Sequence, residues 1–193
     1  MKYDLRQGLP ENFVYARSTI VKYWAEFKRD EAGLVNGRIE LEDKSAAFQD
    51  YAYISAVERE SVSLPVELKC VCSFDKFGAP LIVFSEALNE NGEGRYVYGR
   101  HYEVVLWEEG INFWDLEPTA EGGQKTVSLL QAKMPFPAGE MTELTVRLTR
   151  EGIEAQAGEL VAKVECSLPE KMYVGFTACE GINHFASFSR EEI

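Results

Sequence analysis

The sequence predicts an all-β fold and, within that class, a two-sheet antiparallel jelly-roll sandwich. Three observations support this prediction. Short runs rich in Val, Ile, Tyr, Phe and Thr recur between clusters of Gly, Pro, Asn and Asp. The apolar period of an amphipathic helix is nearly absent. About a dozen such runs fall within 193 residues, a length that suits one domain, and this many strands in one domain is typical of two packed sheets.

Each predicted strand is an apolar or alternating run that ends at turn-forming residues. In chain order these strands are Val14 to Lys28, Leu34 to Glu42, Ala52 to Glu60, Val66 to Phe74, Leu81 to Ala87, His101 to Trp107, Ile111 to Glu117, Thr126 to Lys133, Leu144 to Thr149, Ile153 to Ala157, Leu160 to Cys166, Met172 to Cys179 and His184 to Ser189. One short helical turn, around Asp43 to Gln49, is expected as a connector.

Two polar, glycine-bearing loops, Asn89 to Arg95 and Pro118 to Lys125, interrupt this series. Both lie inside the series of strands, so dividing the chain at either loop would leave two halves with open sheet edges. The sequence shows no linker and no internal repeat. Residues 1–193 are therefore predicted to form a single jelly-roll domain, whose core is large enough to need no disulfide or metal.

The charge balance is acidic. Lys and Arg number 20 against 32 Asp and Glu, which gives a formal net charge of −12. This charge repels the phosphates of nucleic acids and anionic lipid surfaces, so neither nucleic acid nor a membrane is expected as a partner. The first residues lack the apolar stretch of a secretory signal, which predicts a cytoplasmic protein, although a chain from which an export signal had been removed would look the same.

The residue types of several common kinds of site are missing or badly spaced. Cys70, Cys72, Cys166 and Cys179 fit neither a zinc site nor a dense disulfide framework, so free thiols are expected. Two histidines cannot build a histidine-rich metal site. The sequence has no Gly-x-Ser-x-Gly elbow and no phosphate-binding glycine loop, which disfavours serine hydrolases and nucleotide enzymes. No cofactor is expected on these grounds.

A family resemblance appears in the last third of the chain. Residues 146–162, VRLTREGIEAQAGELVA, and residues 173–188, YVGFTACEGINHFASF, resemble the carboxy-terminal half of the concanavalin A-like lectin and glucanase superfamily, including its laminin-G-like members. Gly158-Glu159-Leu160-Val161 and Val174-Gly175-Phe176 occupy the places of that superfamily's acidic turn and glycine-bearing strand. The resemblance implies a jelly roll whose concave sheet binds carbohydrate, in a superfamily of hydrolases, lyases and lectins.

The resemblance also bears on metal content. Several relatives with this fold bind calcium structurally, and Glu40, Glu42 and Asp43 offer oxygen ligands. A structural calcium ion is one interpretation of these three residues. A solvated acidic face is the other, and it is favoured because nothing here resembles a calcium loop.

The hairpin from His101 to Glu117 is the stretch most able to carry chemistry. A three-residue loop, Glu108 to Gly110, suits a type I turn that ends in a glycine with positive φ. In the register that this loop sets, each residue of the first strand faces one residue of the second. The facing pairs on one surface are Trp107 and Ile111, Val105 and Phe113, Glu103 and Asp115, and His101 and Glu117. The opposite face of the sheet is then mostly apolar and is predicted to face the core: Tyr102, Val104, Leu106, Asn112, Trp114 and Leu116.

This register places rings, carboxylates and a histidine on one surface. Sugar rings stack on aromatic planes while their hydroxyls donate to carboxylates, so the surface is a candidate carbohydrate site. The predicted catalytic residues are Glu103, Asp115 and Glu117, and the predicted substrate-binding residues are His101, Trp107 and Phe113. The alternative is the solvated face of an ordinary sheet, and a loop of two residues would shift the pairing by one and disperse the cluster.

The superfamily's endoglucanases carry Glu-x-Asp-x-Glu on a concave strand, and residues 113–117 here read Phe-Trp-Asp-Leu-Glu. The resemblance implies that Asp115 is the orienting acid and Glu117 the acid/base, while Phe113 stands at the nucleophile position. Glu103 across the hairpin is then a candidate base for an inverting reaction, which needs carboxyl groups roughly 6.5 to 9.5 Å apart.

Two further places offer polar or aromatic groups. Tyr51 and Tyr53 point the same way along their strand and could extend an aromatic floor, although core packing is the favoured interpretation. Glu180, Asn183 and His184 could flank a ligand, although an ordinary turn is the favoured explanation of this stretch.

Together these features predict a carbohydrate-binding or carbohydrate-processing jelly roll with an oligosaccharide or polysaccharide as its partner. Glycoside hydrolysis through paired carboxylates is one form of that function. The alternative is a non-catalytic protein-interaction or accessory domain of the same fold, which uses its edge loops or pairs its sheets in a homodimer.

Overall fold

The computed structural model describes residues 1–37, 52–92 and 94–193. Its strands, in chain order, are β1 (Lys2–Asp4), β2 (Phe13–Arg17), β3 (Lys28–Arg29), β4 (Leu34–Val35), β5 (Ile54–Glu58), β6 (Val62–Ser63), β7 (Val66–Phe74), β8 (Ala79–Ser85), β9 (Leu88–Glu90), β10 (Tyr96–Tyr98), β11 (His101–Trp107), β12 (Gly110–Pro118), β13 (Gln124–Lys133), β14 (Thr142–Thr149), β15 (Gly152–Ala157), β16 (Leu160–Glu165), β17 (Lys171–Cys179) and β18 (Asn183–Glu192). A 3-10 turn, Leu5–Gln7, follows β1.

These strands form two packed sheets, which confirms the predicted jelly-roll sandwich. One sheet has the order β16-β15-β14-β7-β18-β4-β3, with β1 beside β18. The other has the order β13-β12-β11-β8-β17-β5-β2-β10-β9, with β6 beside β17. Pairing is antiparallel except between β10 and β2, which run parallel. The described residues contain no helix long and apolar enough to cross a membrane.

Most predicted strands are confirmed to within a few residues, and the early part of the chain differs most. The predicted strand from Val14 to Lys28 is wrong beyond Arg17, where β2 ends and a non-strand segment begins, residues 18–27, here called the strap. The predicted loop from Asn89 to Arg95 begins inside a strand, because Asn89 and Glu90 belong to β9, which pairs with β10 in a short hairpin. The expected helical turn from Asp43 to Gln49 and most of the strand from Leu34 to Glu42 lie outside the described residues.

The core between the sheets is built around one aromatic ring. Phe176 on β17 has its ring centroid 5.8 Å from that of Phe13, 5.6 Å from Phe27, 4.9 Å from Phe185 and 5.6 Å from Phe188. These rings come from both sheets and from the strap. Because Phe176 is fully buried and in contact with all four rings, it links the three parts of the core.

The ten-stranded sheet also carries apolar residues on the face that points away from this core, here called the concave face. Val14, Val57, Leu81 and Val83 are buried there. The sheet curls around this face, and the strap closes over part of it. The hydroxyl of Thr19, just after β2, donates to the carbonyl of Gly123 in the β12–β13 turn at 2.8 Å. The middle of the concave face is therefore covered.

The packing of Phe176 predicts the stability of one pair of variants. Phe176→Ala is expected to lower the free energy of unfolding by about 3–5 kcal/mol, because it leaves a cavity where four rings meet. Phe77→Ala is the matched control, since the Phe77 side chain is 71% exposed, and a change within about 0.5 kcal/mol is expected. Urea unfolding followed by tryptophan fluorescence measures both. Equal losses in the two variants would contradict this description of the core.

Candidate functional site

The hairpin of β11 and β12 has a register one residue away from the predicted one. Gly110 is the first residue of β12, not the last residue of the loop, and it pairs with Trp107 across the hairpin. The connecting loop is therefore two residues long, Glu108 and Glu109. Glu103 lies opposite Trp114 rather than opposite Asp115. The predicted register was wrong, and the two-residue alternative is the one the chain adopts.

Contacts outside the hairpin explain this register. A Cβ atom at Gly110 would lie 1.9 Å from the carbonyl oxygen of Ala132 on β13, and Gly110 has a φ of +153°. The glycine is thus needed where the backbone of β13 approaches β12. The loop carbonyls of Glu108 and Glu109 also accept hydrogen bonds from the amides of Phe136 and Met134, each at 3.0 Å. The chain after β13 holds the turn in place.

A shift of one residue exchanges the two faces of β12. Phe113 is completely buried in the core, so it does not line a binding surface. Asp115 lies on the core side as well and is held by Arg100 through two hydrogen bonds of 3.0 and 2.7 Å. Glu117 follows on the same side of β12 and is exposed. The six predicted site residues therefore do not share one surface.

His101, Glu103 and Trp107 remain on the concave face, where they are joined by residues that sequence reasoning had assigned to the core. The ring of Trp114 and the amide of Asn112 are the new neighbours from β12. The sequence indicates Asn112 and Trp114 only through the alternative two-residue loop, because that loop turns both side chains to the concave face. Nothing local could decide between the two registers, because the deciding contact comes from β13.

Glu103, Trp107, Asn112 and Trp114 line an open cleft with a volume of about 540 Å³. Its lining comes from β11, β12 and β13, from the β7–β8 and β17–β18 turns, and from Ile20 of the strap. The polar and aromatic side chains of the lining include Tyr53, Lys76, Glu103, Trp107, Glu108, Asn112, Trp114, Gln124, Cys179 and Glu180. Tyr53 and Glu180 are among the secondary candidates that the sequence offers, whereas no sequence signal predicts Gln124 or Lys76.

Glu103 is the buried carboxyl group of this cleft and is only 7% exposed. Burial favours the neutral acid over the carboxylate and raises the pKa of Glu103 to about 7. A hydrogen bond from the Tyr53 hydroxyl favours the charged form and offsets part of this effect. Near neutral pH the side chain therefore exists in both forms, one able to donate a hydrogen bond and the other only to accept.

His101 is neutral in this environment. Its Nδ1 lies 3.0 Å from the carbonyl oxygen of Gly99, which can only accept, so Nδ1 carries the proton and Nε2 has the lone pair. Burial is the main cause that lowers the pKa of His101, to about 4. Its Nε2 lies 3.8 Å from Oε1 of Glu103, too far for a direct hydrogen bond. His101 therefore gives Glu103 no positive partner.

The remaining polar groups around Glu103 are also uncharged. Burial raises the pKa values of the Tyr53, Tyr98 and Cys179 side chains, so the two phenols and the thiol keep their protons. The Tyr53 side chain interacts with both Cys179 and Glu103. Because its thiol stays protonated, Cys179 is not an activated nucleophile.

Two polar atoms of the cleft residues are buried without a hydrogen-bond partner among the described residues. One is the Nε1–H donor of Trp107 and the other is the Oε1 acceptor of Gln124. An unpaired buried donor or acceptor is destabilising by about 1–3 kcal/mol. A bound molecule that offers both an acceptor and a donor at this cleft would remove that penalty.

The raised pKa of Glu103 predicts a pH-dependent stability. Between pH 4.5 and about 7 the folded protein keeps the Glu103 proton and the unfolded chain loses it, so stability falls as the pH rises through this window. The size of the effect is about 3 kcal/mol. Relative to Glu103→Gln, which cannot titrate, the wild type is expected to lose this amount between pH 4.5 and 8.

Urea unfolding of both proteins at each pH makes the measurement. The lowered pKa of His101 acts in the opposite direction, since the folded protein resists its protonation between about pH 4 and 6.5. That contribution is common to both proteins and cancels in the difference between them. Parallel stability curves for the wild type and Glu103→Gln would show that Glu103 titrates normally.

No family model matches this sequence, and no curated protein is similar to it in sequence. Solved structures do share its fold. The carbohydrate-binding module CBM66 from Bacillus subtilis superposes with a TM-score of 0.65 at 10% identity, over 94% of this chain and 96% of that one. A glycoside hydrolase family 16 endo-glucanase from Bacteroides ovatus has a TM-score of 0.61 at 7% identity, over 99% of each chain.

LamAcat from Zobellia galactanivorans is a third neighbour, with a TM-score of 0.51 at 10% identity over 74% of this chain and 70% of that chain. Identities this low demonstrate a common fold and carry no residue roles with them. The fold predicted from residues 146–162 and 173–188 is thereby confirmed: the chain has the concanavalin A-like jelly-roll fold.

Proposed function

We propose that this protein binds carbohydrate in the cleft above Glu103. The observation that carries the proposal is a pair of unpartnered buried atoms, the Trp107 donor and the Gln124 acceptor, which belong to two residues that line an open cleft. A sugar hydroxyl both donates and accepts hydrogen bonds, so a sugar with neighbouring hydroxyls can satisfy both atoms. Ligands with only acceptors or only donors satisfy one of them.

The aromatic composition of the cleft supports the same ligand class. Trp107 and Trp114 are half-buried and both line the cleft, next to the amide of Asn112. The C–H faces of a pyranose ring pack well on such planes, while the indole N–H offers a polar contact. Apolar walls with a few polar groups placed among them are what a small-ligand site requires.

The structural neighbours lend further support. One is described as a carbohydrate-binding module and another as an endo-glucanase, so the same fold is used by proteins that bind and that cleave glycans. Neither description transfers to this chain at 7–10% identity. What supports the proposal here is the agreement between those ligands and the chemistry of the cleft.

Binding fits the geometry better than hydrolysis does. The two-carboxylate mechanisms need a pair of acids that flank the bond to be cleaved. Asp115 lies on the other side of the sheet with Arg100, which leaves Glu103 as the only acid on the cleft floor among the described residues. Glu108 and Glu180 stand at the rim.

The predicted homodimer and the predicted cytoplasmic location remain predictions.

Hydrolysis keeps one argument in its favour, since a carboxyl group with a pKa of about 7 suits a general acid. Incubation of the protein with oligosaccharides that it binds, followed by product chromatography, separates the two functions. We expect intact ligand after prolonged incubation. Products that disappear in Glu103→Gln would establish an enzyme instead.

The tryptophans of the cleft provide the main test of binding. A glycan array first identifies a ligand, and calorimetry then measures the affinity of the wild type and of Trp114→Ala for it. The affinity of Trp114→Ala is expected to be weaker by roughly tenfold, because a plane on which the sugar stacks is lost. Trp24→Ala is the matched control. Trp24 lies between Arg17 and Arg95, outside the cleft lining, and its removal should leave the affinity unchanged.

A silent array would overturn the proposal, and so would an equal loss of affinity in the two tryptophan variants. Thermal unfolding of both variants shows that the comparison is made between folded proteins.

A further inference from the structure

Three glutamates are buried among the described residues, and two of them have a cationic partner inside the protein. Glu58 is held by the guanidinium of Arg190 at 2.8 and 3.0 Å. Glu67 is held by Arg147 at 2.6 Å and by Lys69 at 3.0 Å. In the described part of the chain, no Lys or Arg lies within 4.0 Å of the third one, Glu103.

The groups that face Glu103 do not replace such a partner. His101 precedes it on the same strand and is neutral, and Tyr53, Tyr98 and Cys179 from the neighbouring elements are all protonated and uncharged. The strand neighbours on either side, Val83 on β8 and Trp114 on β12, are not charged. A carboxylate at this position is therefore desolvated and has no opposite charge nearby.

Glu103 borders an open cleft. A charge that the protein leaves without a partner can gain one from a ligand that enters there. The carboxylates of Glu108 and Glu180 and the ammonium of Lys76 line the same cleft. The overall charge of −12 favours a cationic ligand there.

We propose that the cleft selects amino sugars, and that the ammonium group of such a sugar forms an ion pair with Glu103. This inference rests on the proposed carbohydrate-binding function and names the class of sugar. An amino sugar combines the hydroxyls that Trp107 and Gln124 require with the cation that Glu103 lacks. A sugar with a carboxylate or sulfate would place a second negative charge beside the buried one and is disfavoured.

Ion pairing has a consequence that binding of a neutral sugar does not have. At about pH 6, one unit below its pKa, Glu103 is mostly protonated. When an ammonium group binds, the O–H bond of the carboxyl group breaks, the proton leaves to the buffer, and the carboxylate pairs with the ammonium. Binding of an amino sugar therefore releases up to one proton, whereas binding of a neutral sugar releases none.

Three trisaccharides with the same β-1,4 backbone provide the test: the trimers of glucosamine, of N-acetylglucosamine and of glucose. Calorimetry at about pH 6, in two buffers of different ionisation enthalpy, gives both the affinity and the number of protons released. The glucosamine trimer is expected to bind the wild-type protein at least roughly tenfold more tightly than the other two. Only this trimer is expected to release a proton.

Two variants show which carboxyl group is responsible. Glu103→Gln keeps the shape of the side chain and is expected to lose both the preference and the proton release. Glu117→Gln removes one negative charge from an exposed residue outside the cleft lining and should keep both. A preference that persists in Glu103→Gln would overturn the inference, because it would arise from the general negative charge of the protein.

The proton count on the wild-type protein needs no variant, so it decides the matter even if Glu103→Gln does not fold. Equal affinity for the three trimers, or no binding of the glucosamine trimer, overturns the inference. The proposed carbohydrate-binding function is judged separately by the glycan array, where binding of any neutral glycan sustains it.

Discussion

The arrangement of the site depends on the close approach of two backbones at Gly110. Here β13 comes so near to β12 that no side chain fits, and the amides of Met134 and Phe136 hold the loop before Gly110. This contact sets the hairpin register and thereby decides which side chains of β12 face the cleft. Trp114 joins Glu103 there, and Asp115 is turned to the other side.

The charge states in the cleft follow from how the concave face is covered. Thr19 of the strap is hydrogen-bonded to Gly123 in the β12–β13 turn, and the middle of the concave face is filled by buried side chains such as Val57 and Val83. A carboxyl group at the border of such a filled surface loses hydration without gaining a cation, which raises the pKa of Glu103 to about 7. The proposed ammonium ligand is a consequence of this packing.

The fold was predictable because strands and their facing residues are encoded locally. The alternation in residues 144–149 and 153–157 matches the pairing of β14 with β15, and Gly175 is needed because a Cβ there would lie 2.1 Å from the carbonyl oxygen of Ala56. The prediction of one strand from Val14 to Lys28 was wrong because its apolar residues do not all belong to a strand. Some lie in β2 and others in the strap, where Phe27 packs against the core although it belongs to neither sheet.

From the chain alone one obtains the all-β class, most strands and three residues of the concave face, His101, Glu103 and Trp107, because side-chain alternation along one strand is a local property. The tertiary structure alone decided that Trp114 stands beside them. That choice depends on β13, which lies outside the hairpin, and no property of the residues from His101 to Glu117 distinguishes a loop of two residues from a loop of three.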